Sequence, residues 1–123
     1  MIFAFATDDK TLMVFPNEKD AISYCEGWDV SEGGWLFFAA DGCPMEPIFS
    51  VPASKSGWVT SHGRYSLRPI AASEKTQLLA LLPQVAAVEG EAPLNTVAAI
   101  EGLLTSRSTG TAASGLRPPA AAR

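Results

Sequence analysis

Glu26-Gly-Trp-Asp-Val-Ser-Glu-Gly-Gly-Trp-Leu-Phe-Phe-Ala-Ala-Asp-Gly42 is the stretch whose reading decides the fold. Its first half ends a short helix at glycine and crosses an acidic, glycine-rich bend. Its second half, Trp35-Leu-Phe-Phe-Ala39, is continuous in apolar character, as expected of a central strand covered on both faces. Asp41-Gly42 then supplies the dipeptide that closes a tight hairpin.

Toward the N-terminus, residues 2–6 and 12–15 are β-prone runs on either side of the polar turn Thr7-Asp-Asp-Lys10, and they read as a hairpin. Asn17 is a good helix N-cap with Asp20 three residues on, and Ala21, Ile22 and Cys25 form a narrow apolar stripe. A helix is expected over 18–26, stopping at Gly27. Isolated helices below about 12 residues are marginal in water, so this one depends on a sheet. Residues 28–34 read as a connection.

Toward the C-terminus, a return strand is expected over 46–51, with Pro47 pointing to an edge or a strand start. Residues 52–57 read as a loop, and 58–61 and 65–68 as a third pair joined through His62-Gly63-Arg64. Ser73 can cap a helix over 74–82 that Pro83 interrupts, and Asn95 opens a second helical run with Val97, Ile100, Leu103 and Leu104 on one side. Gly102 weakens that run by about 1 kcal/mol relative to alanine. Residues 84–94 fit either a helix or a short extended segment. The expected fold class is therefore α+β, an antiparallel sheet of about five to six short strands with two to three helices packed on it. A single domain is expected over 1–106, followed by a low-complexity, disordered tail over 107–123.

A chain of 123 residues that is 47% hydrophobic and 18% charged has the size and composition of one domain that folds unaided. No apolar run approaches the roughly 20 residues that span a bilayer, and the opening residues lack the pattern of a secretion signal, so a cytoplasmic protein without membrane contact is expected. Cys25 and Cys43 are expected as free thiols. With the single His62 they provide no paired metal-ligand spacing, and no cofactor is implied.

Charge is divided unevenly along the chain. Residues 1–50 carry nine acids (Asp8, Asp9, Glu18, Asp20, Glu26, Asp29, Glu32, Asp41, Glu46) and two lysines, whereas 51–123 carry four acids and seven basic residues. An acidic half repels phosphate backbones, which argues against nucleic acid and for a basic protein partner. Nucleophile elbows, phosphate-cradling loops, HExxH and CxxC are all missing from the sequence, so no residue is assigned a catalytic role. Trp28 flanked by Glu26 and Asp29 has the composition of an interface hot spot with an acidic rim. Glu32, Asp41 and Glu46 complete the candidate partner-binding set. The alternatives are a small enzyme or ligand-binding domain using a pocket near the His62 loop, and a structural or oligomerising domain.

The acidic chain with its glycine- and tryptophan-rich middle resembles the small immunity proteins that neutralise bacterial toxins, including those paired with contact-dependent growth-inhibition toxins. The resemblance rests on size, on Met-Ile-Phe-Ala-Phe-Ala-Thr-Asp-Asp-Lys10 with Phe-Pro-Asn-Glu-Lys-Asp20, and on the Trp28-Asp29 to Trp35-Leu-Phe37 core. It covers roughly residues 1–106. It implies tight binding, as monomer or homodimer, to a cognate toxin domain, commonly a basic nuclease, with inhibition by occlusion of the active site or a surface near it.

Overall fold

A computed structural model of the chain describes residues 1–70 and 77–113, with side chains through 106. The elements in order are β1 (Ile2–Ala6), β2 (Thr11–Phe15), α1 (Glu18–Tyr24), α2 (Gly27–Ser31), β3 (Trp35–Ala39), β4 (Pro44–Val51), β5 (Ser54–Ser56), β6 (Val59–Ser61), β7 (Arg64–Pro69), α3 (Leu78–Leu81) with a 3-10 turn at Leu82–Gln84, β8 (Ala87–Glu89) and α4 (Val97–Ala113). The fold class is α+β, as expected. Six strands form one sheet in the order β7-β4-β3-β1-β2-β8, and β5 and β6 form a separate two-stranded sheet.

Two-residue alternation divides the core. Ile2 and Ala4 of β1, with Phe15, Phe37, Tyr65 and Leu67, face Ala21 and Cys25 at α1 and Val30 of α2. Phe3 and Phe5, with Leu12 and Phe38, face Leu78, Leu81 and Leu82 and, from α4, Ile100 and Leu104. Successive β residues point to opposite faces, so a strand buried at all five positions has to be covered by helices on both sides. That strand is β1. β3 shares the centre of the sheet, but only Phe37 and Phe38 are buried in it, and Leu36 stays 39% exposed.

Several expectations are corrected by the long-range pairing. The sheet is mixed rather than purely antiparallel, because β8 runs parallel to β2, with Leu12 opposite Val88 and Met13 opposite Glu89. This places part of the ambiguous 84–94 segment in an edge strand. Residues 59–61 do not pair with 65–68. They fold back on Ser54–Ser56 around Gly57, whose φ of +58° suits the turn, and β7 pairs instead with β4. The 28–34 connection contains α2, so the acidic bend is largely helical. The return strand starts at Pro44, and its ladder with β3 covers only Phe37 with Met45 and Phe38 with Pro44. Pro47 lies just beyond that ladder, paired with Leu67 of β7, where its missing N–H is tolerated. The α4 backbone continues to Ala113, beyond the expected boundary at 106, and the remaining tail from 114 lies outside the described residues, as does Ser73.

The α1 start follows local rules: the Asp20 N–H donates to Asn17 Oδ1 at 2.8 Å. Glu18 has a further role. Its Oε2 accepts the Leu67 N–H at 3.1 Å, covering a donor on the outer edge of β7 and tying the helix to the sheet. Removing that carboxylate leaves a partly buried N–H without a partner. Glu18→Ala is expected to lower unfolding free energy by about 1–2 kcal/mol, measured by urea denaturation, while Glu18→Gln recovers part of the loss through its amide oxygen. Equal midpoints for Glu18→Ala and the parent would contradict this role.

Candidate functional site

Two loops close against each other at one end of the sheet. The Thr7 N–H donates to the Gly34 carbonyl at 3.0 Å, and Thr7 Oγ1 donates to the Gly33 carbonyl at 3.0 Å. These bonds zip the β1–β2 turn to the segment joining α2 and β3. Inside the turn, Asp8 Oδ1 accepts the Asp9 N–H at 2.7 Å and Asp9 Oδ1 accepts the Thr11 N–H at 3.0 Å. On the other loop, the Gly34 N–H donates to the Asp29 carbonyl at 2.8 Å, and Gly33 takes a φ of +82°. Asp8 and Asp9 are thereby held beside Asp29 and Glu32, far away in sequence.

Between them opens a cleft of about 340 Å³. Its rim carries Asp8, Asp9, Asp29, Glu32 and Glu89, and its wall includes Tyr24, Trp35 and Met13. Glu89 arrives through the parallel β2–β8 pairing, opposite Met13. Tyr24 ends α1, is 55% exposed, and meets the Trp35 ring edge-on at 6.0 Å and the Phe15 ring at 5.6 Å. Among the described residues no lysine, arginine or histidine lines the cleft. Lys10, although next to Asp9, directs its ammonium over Phe5, 5.9 Å from the ring centroid and on the opposite face of the sheet. Among the described residues none of the five carboxylates takes part in an ion pair. Concentrated negative charge beside the exposed Tyr24 ring and the half-buried Trp35 ring suits a cationic side chain, which gains both Coulombic and cation–π attraction.

The structure brings together two of the six sequence-predicted partner residues, Asp29 and Glu32. Glu26 and Trp28 lie at the other end of α2, against the β6–β7 link. Glu26 Oε2 is 3.5 Å from His62 Nε2, the Trp28 N–H donates to His62 Nδ1 at 3.2 Å, and Lys55 Nζ lies 5.9 Å from the Trp28 ring centroid. Asp41 is a turn residue whose Oδ1 accepts the Cys43 N–H at 3.0 Å. Glu46 Oε1 is engaged by Arg68, at 2.7 Å from Nε and 2.6 Å from Nη2. Sequence reading missed Asp8, Asp9 and Glu89 as members of the site. The adjacent Asp8-Asp9 pair in a turn was a visible signal; Glu89 had none, because only a parallel pairing brings it there.

The hollow beside the His62 loop, bounded by Ile22, Glu26, Gly27 and Tyr65, has a volume of about 440 Å³. Its histidine accepts a backbone N–H at Nδ1 and faces Glu26 at Nε2, so the ring acts as a fastener between α2 and the β6–β7 link. No group of three or more His, Cys, Asp or Glu side chains among the described residues is arranged to hold a metal ion. No described helix is long and apolar enough to cross a membrane. Comparison of the chain with protein-family models, curated proteins and solved structures finds no match.

Proposed function

We propose that this protein is an immunity protein that binds and neutralises a cognate basic toxin domain, acting in the cytoplasm where a nuclease-type toxin does its damage. The single observation that carries the reading is the cleft: five carboxylates, no cation among the described lining residues, and Tyr24 with Trp35 in the wall. A Lys or Arg side chain of the toxin enters it and is held by the carboxylate rim and the aromatic wall. The same charges accelerate encounter with a basic surface. This moves the proposed contact from the whole acidic bend to its Asp29–Glu32 end together with the β1–β2 turn and β8. Asp41 and Glu46 drop out of the proposal, since the first closes a turn and the second is already paired with Arg68. A hydrolytic reading through His62 gains no support from a ring engaged at both nitrogens.

The experiment is co-expression with candidate basic toxin domains from neighbouring genes, followed by stopped-flow association at several salt concentrations. The parent is expected to protect cells and form a complex. The combined Asp9→Asn, Asp29→Asn, Glu32→Gln variant is expected to associate about tenfold more slowly at low salt, with a flatter salt dependence. Neither complex nor protection would sink the immunity reading; unchanged rates in the variant would remove the cleft from the interface.

A further inference from the structure

The β5–β6 hairpin stands apart from the main sheet, and every residue of both strands is exposed. At its tip Trp58 is 101% exposed and Val59 67%. No hydrogen bond or aromatic contact among the described residues involves the Trp58 side chain. A buried tryptophan removes about 150–250 Å² from water, so an indole fully in solvent at a hairpin tip is poised to meet something outside the protomer. The base of the hairpin is firmly seated by His62 on the Trp28 N–H at 3.2 Å and by the close approach of Gly27 to the His62 backbone. It is a presented arm rather than a loose loop.

The arm and the cleft have opposite chemistry. Residues 54–61 carry one charged side chain, Lys55, and no carboxylate, whereas the cleft carries five carboxylates and, among the described residues, no cation. The arm joins the body at the Gly27 end of α2, and the cleft lies at its Glu32 end, so one chain presents the two as separate surfaces. We propose that the β5–β6 arm of one protomer docks in the acidic cleft of a second copy of this chain, with Trp58 against Tyr24 and Trp35 and Lys55 at the carboxylate rim. This rests on the reading of the cleft as a receptor for cationic and aromatic side chains, and it adds an occupant. A contact between two different surfaces is heterologous, and two copies that exchange arms reciprocally close into a dimer. In a protein of net charge −4, unlike surfaces at this one contact also fix how the copies approach. The toxin and the arm then compete for one cleft.

Sedimentation velocity on the full chain, from about micromolar to about millimolar concentration, tests the proposal. The parent is expected to gain mass with concentration. The arm variant Trp58→Ser with Lys55→Glu, at exposed positions outside the core, is expected to stay monomeric. The cleft variant Asp29→Asn with Glu32→Gln is expected to need at least about tenfold higher concentration to associate. Mixing the two variants restores association in part, above that of either variant alone, because one of the two reciprocal contacts then has an intact cleft and an intact arm. A parent that is monomeric throughout, or an arm variant that associates like the parent, overturns the proposal. So does binding of the parent, but not the arm variant, to phosphatidylcholine vesicles without self-association, since the tip then serves a lipid surface. A short polylysine peptide separates this result from the function above. If the peptide binds the parent and the arm variant but not the cleft variant while the parent remains monomeric, the cleft reading stands and arm docking fails.

Discussion

Gly27→Ala is expected to destabilise the protein by about 3 kcal/mol and to loosen the hold of α2 on the hairpin arm. A Cβ at this position would overlap the His62 carbonyl oxygen and lie 2.7 Å from the His62 carbonyl carbon. Those atoms are backbone, so no side chain can swing aside to relieve the clash. Either α2 or the link from β6 to β7 has to move. Movement stretches the Trp28 N–H to His62 Nδ1 bond and the Glu26–His62 pair together, which makes the single methyl group felt at two further contacts. The cause is packing and not backbone conformation, because Gly27 is not among the glycines with positive φ. Gly102→Ala provides the opposite case. Nothing lies within 4 Å of the Cβ it would add, and it sits inside α4, so that variant is expected to gain about 0.5–1 kcal/mol from helix propensity alone. Urea denaturation of both variants checks the pair. A Gly27→Ala midpoint equal to that of the parent would mean that α2 does not rest on the His62 backbone.

Gly27 also shows where sequence reading stops. A glycine after a short apolar helix reads as a stop signal, but α1 already ends at Tyr24 with Cys25 as its C-cap, short of the expected 18–26, and Gly27 instead opens α2. The reason for glycine is 35 residues away in His62, which no local pattern reveals. Signals carried by neighbours in sequence were legible. The Asn17 cap forms its bond to Asp20, the Asp41-Gly42 turn closes with Gly42 at a φ of +87°, and the apolar runs at 2–6 and 35–39 become the two central strands. Features set by distant pairing were not legible. Residues 87–89 become a strand only because β2 has a free edge, and residues 54–56 become one only because 59–61 fold back on them. The candidate site is divided in the same way. Acids close in sequence along 26–32 part company, since Glu26 turns to His62 while Asp29 and Glu32 turn to the β1–β2 loop. Acids far apart meet, because two threonine bonds and one parallel ladder bring Asp8, Asp9 and Glu89 to them.

Alkaline solution is expected to destabilise this protein progressively above pH 9.0, and Cys25 is the main reason. Cys25 is fully buried under α1, and burial followed by the nearby Asp29 carboxylate pushes its thiol from 9.0 up to about 12. Tyr65 is raised from 10.0 in the same direction, first by burial and then by the neighbouring Cys25, while its hydroxyl donates to the Cys25 carbonyl. In the unfolded chain the thiol loses its proton near 9.0, whereas the folded chain retains it until about 12. Between those values the folded state binds more protons, so stability is intact below the lower value and falls as pH rises toward the upper one. The slope is about 1.4 kcal/mol per pH unit, or about 4 kcal/mol across the window, against a typical total of about 5–15 kcal/mol. Tyr65 adds a loss of the same sign above 10.0. Urea midpoints of the parent are therefore expected to fall steeply above pH 9.0. Cys25→Ala starts from a lower midpoint at neutral pH, because it removes a buried sulfur, and then declines less steeply, since the largest thiol contribution is gone and only the raised Tyr65 and the partly covered Cys43 remain. The same burial keeps the Cys25 thiol neutral and unreactive: in the native protein an alkylating reagent is expected to label Cys43, which is only partly covered, and to reach Cys25 on unfolding. Parallel pH profiles for the parent and Cys25→Ala, or fast labelling of Cys25 in the native state, would show that the thiol is not held in the core between α1 and the sheet.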